Sequence, residues 1–257
     1  MDINRYLKRI GASRPSAPVA EALRALNRAH LEQVPFENLE ILLERRCPSL
    51  EPDDLFRKVV EEGRGGYCFE LNKLFYLLLR ELGFDCYCAA ARVLYRRTEL
   101  RPLSHRTIVV HTEGERWLCD VGFGGPGPKG ALSLAPGEHE VAEELFSSRE
   151  EDGVVTVYRH DPDGVNPLMS FRDVPVPEAD FDVLNGYWGY NPGSVFTQKP
   201  VLYRCLPDGI ISLVGDQFTC VRQGSAAENR KISGEEELFS ILRDSFDLAL
   251  PRAAGSK

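Results

Sequence analysis

The spacing of apolar residues changes once along this 257-residue chain, between Gly83 and Asp85, and that break limits the folds open to it. Before the break the period is helical. Ile3, Tyr6, Leu7 and Ile10 fall at i, i+3, i+4 and i+7 behind a capping Asp2, and Ala22, Leu23, Leu26 and Ala29 repeat the spacing. A third helix is expected from near Asp53-Asp54, burying Leu55, Val59 and Val60 and ending at Gly63; between the second and third lies the Pro-broken segment Val34 to Leu39. After the break come short β-rich runs at Cys86–Leu94, Thr107–His111, Arg116–Val121, Val154–His160 and Leu168–Phe171, divided by Gly, Pro and Asp turns. That pattern suits an antiparallel barrel or sandwich. A Pro-rich crossing at Pro175 and Pro177 leads through Asp180 to Phe196. Strands are then expected near Leu202–Leu206, Ile210–Val214 and Phe218–Arg222, with a closing helix at about Glu235–Phe246 and a frayed tail from Pro251 to Lys257. The class is α+β.

Composition narrows the function. No apolar stretch approaches the roughly 18 residues of a membrane span, and the N-terminus lacks the basic and then apolar layout of a signal peptide, so a cytoplasmic protein is expected. Seven cysteines, an odd number, suggest free thiols rather than a disulfide framework. A formal charge of -8 disfavours nucleic acid and anionic membrane as partners and favours a small molecule.

The chemistry is expected at Arg64-Gly65-Gly66-Tyr67-Cys68-Phe69-Glu70-Leu71-Asn72, where two glycines precede a cysteine that opens an apolar run reaching Leu82 and Gly83. Cys68 therefore stands at a helix N-terminus, where unpaired N–H groups and the dipole favour a thiolate, and nearby Arg64 adds positive charge. A thiolate is a nucleophile, although a cysteine opening a core helix also serves as packing. Of five histidines, His105 and His111 share one β-rich run, followed by Thr112-Glu113-Gly114-Glu115 and a second run ending in Cys119-Asp120-Val121. With Glu113-Gly114 as a two-residue turn, Thr107 faces Asp120 and His105 faces Gly122, which makes Asp120 the diagonal neighbour of His105 at roughly 7 to 8 Å between Cα atoms. His111 faces Arg116, about 20 Å further along, too far to serve the same nucleophile. A three-residue loop would instead turn Asp120 to the opposite face.

Four stretches carry a family likeness: residues 64–72, Pro35-Phe36-Glu37-Asn38-Leu39, His105 opening a strand, and Asp120-Val121-Gly122-Phe123-Gly124. In this order they resemble the arylamine N-acetyltransferases. The resemblance implies a Cys68-His105-Asp120 triad of the papain and transglutaminase kind, with acetyl-CoA as co-substrate and arylamines, arylhydrazines or N-hydroxyarylamines as acceptors. It also implies a helical lobe (1–84), a central antiparallel β-barrel (85–196) and a C-terminal α/β lid (197–257). Phe36, Phe123 and Phe196 are expected as apolar walls of the substrate site, and Gly124 and Ser194 as coenzyme contacts. Gly189-Tyr190 stands where many members have a small hydroxyl pair, so the lid side of the coenzyme pocket is expected to differ.

Gly122 to Gly127 matches G-x-G-x-x-G, but Pro126 and Pro128 follow where a dinucleotide site needs a helix. Cys86 and Cys88 lack zinc-like spacing and are expected on one strand face as small core residues, and no metal is expected. The alternatives left by the sequence are an amide synthase of the same family closing a polyketide macrolactam, a cysteine peptidase or transglutaminase-like enzyme, and a non-catalytic module with Cys68 buried.

Overall fold

The structure is a computed structural model describing residues 1–248; the expected tail, Pro251 to Lys257, lies outside the described residues. Helices α1 (Ile3–Arg9), α2 (Ala20–Gln33) and α3 (Leu39–Leu43) are followed by α4 (Pro52–Phe56), which runs on as a π-helical turn over Arg57–Glu61. Asp2 caps α1 as expected, its Oδ1 accepting the Arg5 N–H at 3.1 Å. The helical side is centred on α5 (Cys68–Glu81), which buries Phe69, Leu71, Leu74, Phe75, Leu78 and Leu79. At about 1.5–3 kcal/mol for each fully buried large apolar side chain, this helix is a main anchor of the fold.

Eight antiparallel strands follow: β1 (Asp85–Val93), β2 (His105–Thr112), β3 (Glu115–Leu118), β4 (Leu132–Ser133), β5 (Glu138–Val141), β6 (Glu144–Glu151), β7 (Val154–Asp161) and β8 (Gly164–Arg172). They form one sheet in the order β4-β3-β2-β1-β8-β7-β6-β5, and its two outer strands lie against each other, giving a nearly closed barrel. Alternation along β1 divides its side chains between two cores. Ala89 and Ala91 point into the barrel with Val109, Leu118, Phe146 and Phe171, whereas Cys86 and Cys88 point to the helices, both buried on one face as expected. Helix α6 (Glu178–Tyr190) then packs against α5 through Phe181 and Phe69, and α7 (Val195–Gln198) leads to a second sheet. That sheet, β9 (Val201–Leu206), β10 (Gly209–Val214), β11 (Gln217–Arg222) and β12 (Glu228–Lys231), buries one face against Ile241, Leu242 and Phe246 of α8 (Gly234–Phe246).

The Pro-broken segment joins these parts. Phe36 exchanges backbone hydrogen bonds with Tyr203 of β9 (2.8 and 3.1 Å), and the Glu37 N–H donates to Gly66 in the glycine turn before Cys68 (2.8 Å). Asn38 holds the same junction: its Nδ2 donates to the carbonyls of Phe196 and Lys199, and its Oδ1 accepts the Val201 N–H. Among the described residues, no helix is long and apolar enough to cross a membrane.

Candidate active site

Cys68 is the first residue of α5, and Glu70 in the same turn accepts the Tyr67 N–H through Oε2 at 3.1 Å, which closes the helix start. The sulfur is buried, 3.7 Å from the Ser104 carbonyl just before β2. His105 opens β2. The β2–β3 hairpin has the two-residue turn expected, with His111 opposite Arg116 and Thr112 opposite Glu115, and both turn residues at positive φ (Glu113 53°, Gly114 79°). Glutamate in a left-handed conformation is unusual, but Glu113 also uses Oε2 to accept the Ala20 N–H at 2.8 Å, capping α2 where Val19 offers no side-chain cap. This register brings Asp120 round to His105, whose Nε2 lies 2.5 Å from Asp120 Oδ2.

The pair is buried, and the carboxylate is partnered on both oxygens. Asp120 Oδ1 accepts from Asn72 Nδ2 (3.0 Å) and from the Gly122 N–H (2.9 Å); Asn72 also donates to the Arg106 carbonyl (2.5 Å) and accepts the Val121 N–H (2.9 Å). Asn72 thus ties α5, β2 and the Asp120 loop together from the same helix face as Cys68. Burial works against a charge on His105, yet the charge and hydrogen bond of Asp120, with Cys68 adding to both, outweigh it and hold the imidazole raised to about 10. Burial likewise opposes the Asp120 carboxylate. His105, Asn72 and the Gly122 N–H overcome that and keep Asp120 below its ordinary range. With Nε2 given to Asp120, Nδ1 is the nitrogen left for the sulfur. The arrangement can supply a nucleophile, a proton carrier and an orienting carboxylate.

One electrostatic expectation is not met. Arg64 is not free to charge the cysteine, because its Nε and Nη2 both bind Glu37 Oε1 (3.0 and 2.8 Å) while Glu37 Oε2 accepts the Leu39 N–H. Positive charge at the sulfur comes from His105 instead. Beneath the helix start, Lys58 of the π turn reaches both Glu40 and Glu70 at 2.6 Å.

The expected wall residues lie around this centre. The Phe123 ring stands edge-on to His105 at 5.2 Å between centroids, and Phe196 meets Tyr67 at 5.4 Å and Phe36 at 6.2 Å. A small cleft behind the Asp120 loop is lined by Phe36, Asp120, Phe123, Gly124 and Tyr203. Gly124 has a φ of 76°, and a Cβ on it would stand 2.7 Å from the Tyr203 ring. Ser194 is fully buried and caps α7 by accepting the Phe196 N–H at 3.2 Å. Gly189 abuts Cys47, whose sulfur would lie 2.7 Å from an added Cβ, and Tyr190 points to solvent.

The sequence profile of an N-acetyltransferase family matches residues 20–254. The chain belongs to this N-acetyltransferase family. Its relatives include the arylamine N-acetyltransferase / N-hydroxyarylamine O-acetyltransferase of Salmonella typhimurium, 32% identical over 96% of this chain and 89% of that protein. Among solved structures, the arylamine N-acetyltransferase of M. smegmatis superimposes with a TM-score of 0.90 at 30% identity, covering 97% of this chain and 93% of that one. The Mycobacterium marinum arylamine N-acetyltransferase, solved in complex with CoA, does so with a TM-score of 0.88 at 27% identity over 96% and 92%. In this acetyltransferase the three-part α+β architecture expected from the sequence is present. Two features of its site escaped sequence reasoning, Asn72 and the Glu37–Arg64 pairing. Asn72 carried a usable signal, since it lies four residues after Cys68 and so on the same helical face; the pairing joins two distant loops and left none.

Proposed function

We propose that the chain transfers an acetyl group from acetyl-CoA, through a thioester on Cys68, to the nitrogen of an arylamine or arylhydrazine or the oxygen of an N-hydroxyarylamine. The observation that carries this reading is the buried His105–Asp120 pair at the start of the helix that begins with Cys68. Asp120 keeps His105 protonated, and the imidazolium in turn favours the thiolate. The sulfur attacks the acetyl carbonyl, CoA leaves, and its thiolate takes the proton of His105. The amine then attacks the thioester while neutral His105 removes its proton, which restores the thiolate–imidazolium pair. The first N–H groups of α5, at Cys68 and Phe69, have no carbonyl behind them in the helix and suit the oxyanion.

Phe36, Phe123 and Phe196 form the apolar walls for the ring, and the backbone at Gly124 lies along the coenzyme's path. The buried Ser194 hydroxyl is committed to the α7 cap, so that residue serves the coenzyme side by fixing α7. In this reading residues 1–84 bring the nucleophile, 85–196 the base and its carboxylate, and 197–257 the lid, and the enzyme works on small molecules in the cytoplasm.

One nucleophile holds one acyl group, so turnover is ping-pong. Initial rates at several fixed arylamine concentrations should give parallel double-reciprocal lines. Intersecting lines, with no acetylated enzyme in a rapid quench, would mean direct transfer in a ternary complex. An amide synthase would show little turnover of acetyl-CoA with or without a simple aniline.

A further inference from the structure

Helix α6 makes side-chain ties to the immediate sequence neighbours of Cys68, His105 and Ser104. Glu178 binds Arg106, the neighbour of His105, with two carboxylate-to-guanidinium hydrogen bonds (2.6 and 3.0 Å), and it also receives Lys73 of α5 at 2.9 Å. Asn185 accepts the Tyr67 hydroxyl with Oδ1 and donates to the Pro48 carbonyl at 2.9 Å. Trp188 donates its indole N–H to the Leu103 carbonyl at 2.9 Å, one residue before the carbonyl that faces the Cys68 sulfur. Phe181 completes the row, lying 4.2 Å under the Arg106 guanidinium and beside Phe69. Positions 178, 181, 185 and 188 are spaced by three, four and three, which is one face of a helix. The opposite face points to solvent.

We propose that α6 is a positioning clamp for acetyl transfer, with Glu178, Asn185 and Trp188 as positioning residues that act through Arg106, Tyr67 and Leu103. The physical ground is leverage. Among the described residues, Arg106 is a fully buried cation whose one carboxylate partner stands on α6, so its location, and that of the His105 backbone joined to it, follows Glu178. Tyr67 is the N-cap of the catalytic helix, so its hydroxyl bond sets where the helix start sits. Leu103 and Ser104 end the 94–104 connection between β1 and β2, and the indole bond fixes that end against the sulfur. A shift of about 1 Å among reacting groups can cost on the order of 100-fold in rate, which ties of this kind prevent.

The clamp rests on the triad reading, and its test separates the two. Glu178→Gln, Asn185→Leu and Trp188→Phe, singly and in pairs, would be compared with Val183→Ser on the exposed face. The readouts are single-turnover acetylation of Cys68 by acetyl-CoA and the pH profile of Cys68 alkylation, both taken well below each variant's melting temperature. Each inner variant should acetylate about 10-fold more slowly with a displaced alkylation profile. Pairs should fall short of the product of the single effects, because they act on one centre. Glu178→Asp should recover part of the rate and Val183→Ser should match the wild type. Inner variants that melt earlier but acetylate and alkylate as the wild type does would overturn the clamp and leave α6 as packing. A wild-type enzyme that takes no acetyl group would overturn the triad chemistry instead, and the alkylation profiles would still decide the clamp.

Discussion

Gly122 lies where the Asp120 loop packs against the start of α5. An added Cβ would lie 2.8 Å from the Cys68 Cα and 2.9 Å from Asn72 Nδ2, so only glycine lets the Asp120 loop close on α5 while its N–H serves the carboxylate. Because Asp120 both charges and orients His105, Asp120→Asn should fold yet lose roughly 10³- to 10⁴-fold in turnover, while His111→Ala, at the exposed end of the hairpin, should retain it. Assays of both soluble variants decide this: a dead His111→Ala beside an active His105→Ala would reverse the assignment. The meeting of Cys68, His105 and Asp120 was legible because each has its own marker, a glycine-led helix start, a strand opening and a turn that sets register. The state of Arg64 was not, since it depends on Glu37, a residue 27 positions away whose approach no local pattern encodes.

Among elements, the sequence reading passed over the two-residue β4, which is too short to show a period, and three polar strands. In β5 and β6 only Phe146 is fully buried, and β12 (Glu-Asn-Arg-Lys) is exposed throughout at the edge of its sheet, so neither shows the alternation that betrays a half-buried strand. The α4 segment was placed correctly from Asp53 towards Gly63, but its π turn was invisible, although that turn carries Lys58, which spans Glu40 and Glu70. Arg64 pairs with Glu37 and Arg46 with Glu40, so Glu70, the most deeply buried of the cluster with Glu37, has Lys58 alone, and shares it with Glu40. Burial first, then the charges of Glu40 and Glu37, outweigh Lys58 and leave Glu70 raised from 4.5 to about 7. A carboxyl whose native pKa lies above its unfolded one adds stability below about pH 4.5 and loses it as pH rises through 7. Glu70→Gln should therefore lower the melting temperature more at pH 5 than at pH 8, and the reverse order in thermal melts would show that Glu70 is ionised throughout.

Over the whole molecule, the helices, the barrel and the second sheet each have a core of their own, joined through the Phe36 bridge, Asn38 and α6. The passage from helices to strands was readable from the single change of period near residue 84, whereas the joints were not, because each is a long-range backbone or polar contact. A second buried titration works against stability in acid. His30 sits between the rings of Tyr6 and Phe75 with neither nitrogen partnered among the described residues, and burial, helped by Arg9, pushes it down from 6.5 to about 3. Since the unfolded chain takes up that proton first, stability is lost as pH falls from about 6.5 towards 3, opposite in sign to Glu70. His30→Leu should shrink the fall in melting temperature between pH 7 and pH 4, and an unchanged fall would place its cause elsewhere. The central claim, that Cys68 carries the acyl group, is tested most directly by intact-protein mass after mixing with acetyl-CoA alone. One acetyl group should appear, map to Cys68, disappear on addition of an arylamine, and never form on Cys68→Ala. An unmodified wild-type enzyme that still acetylates the amine, or an acetyl group on any of the other six cysteines, would contradict it.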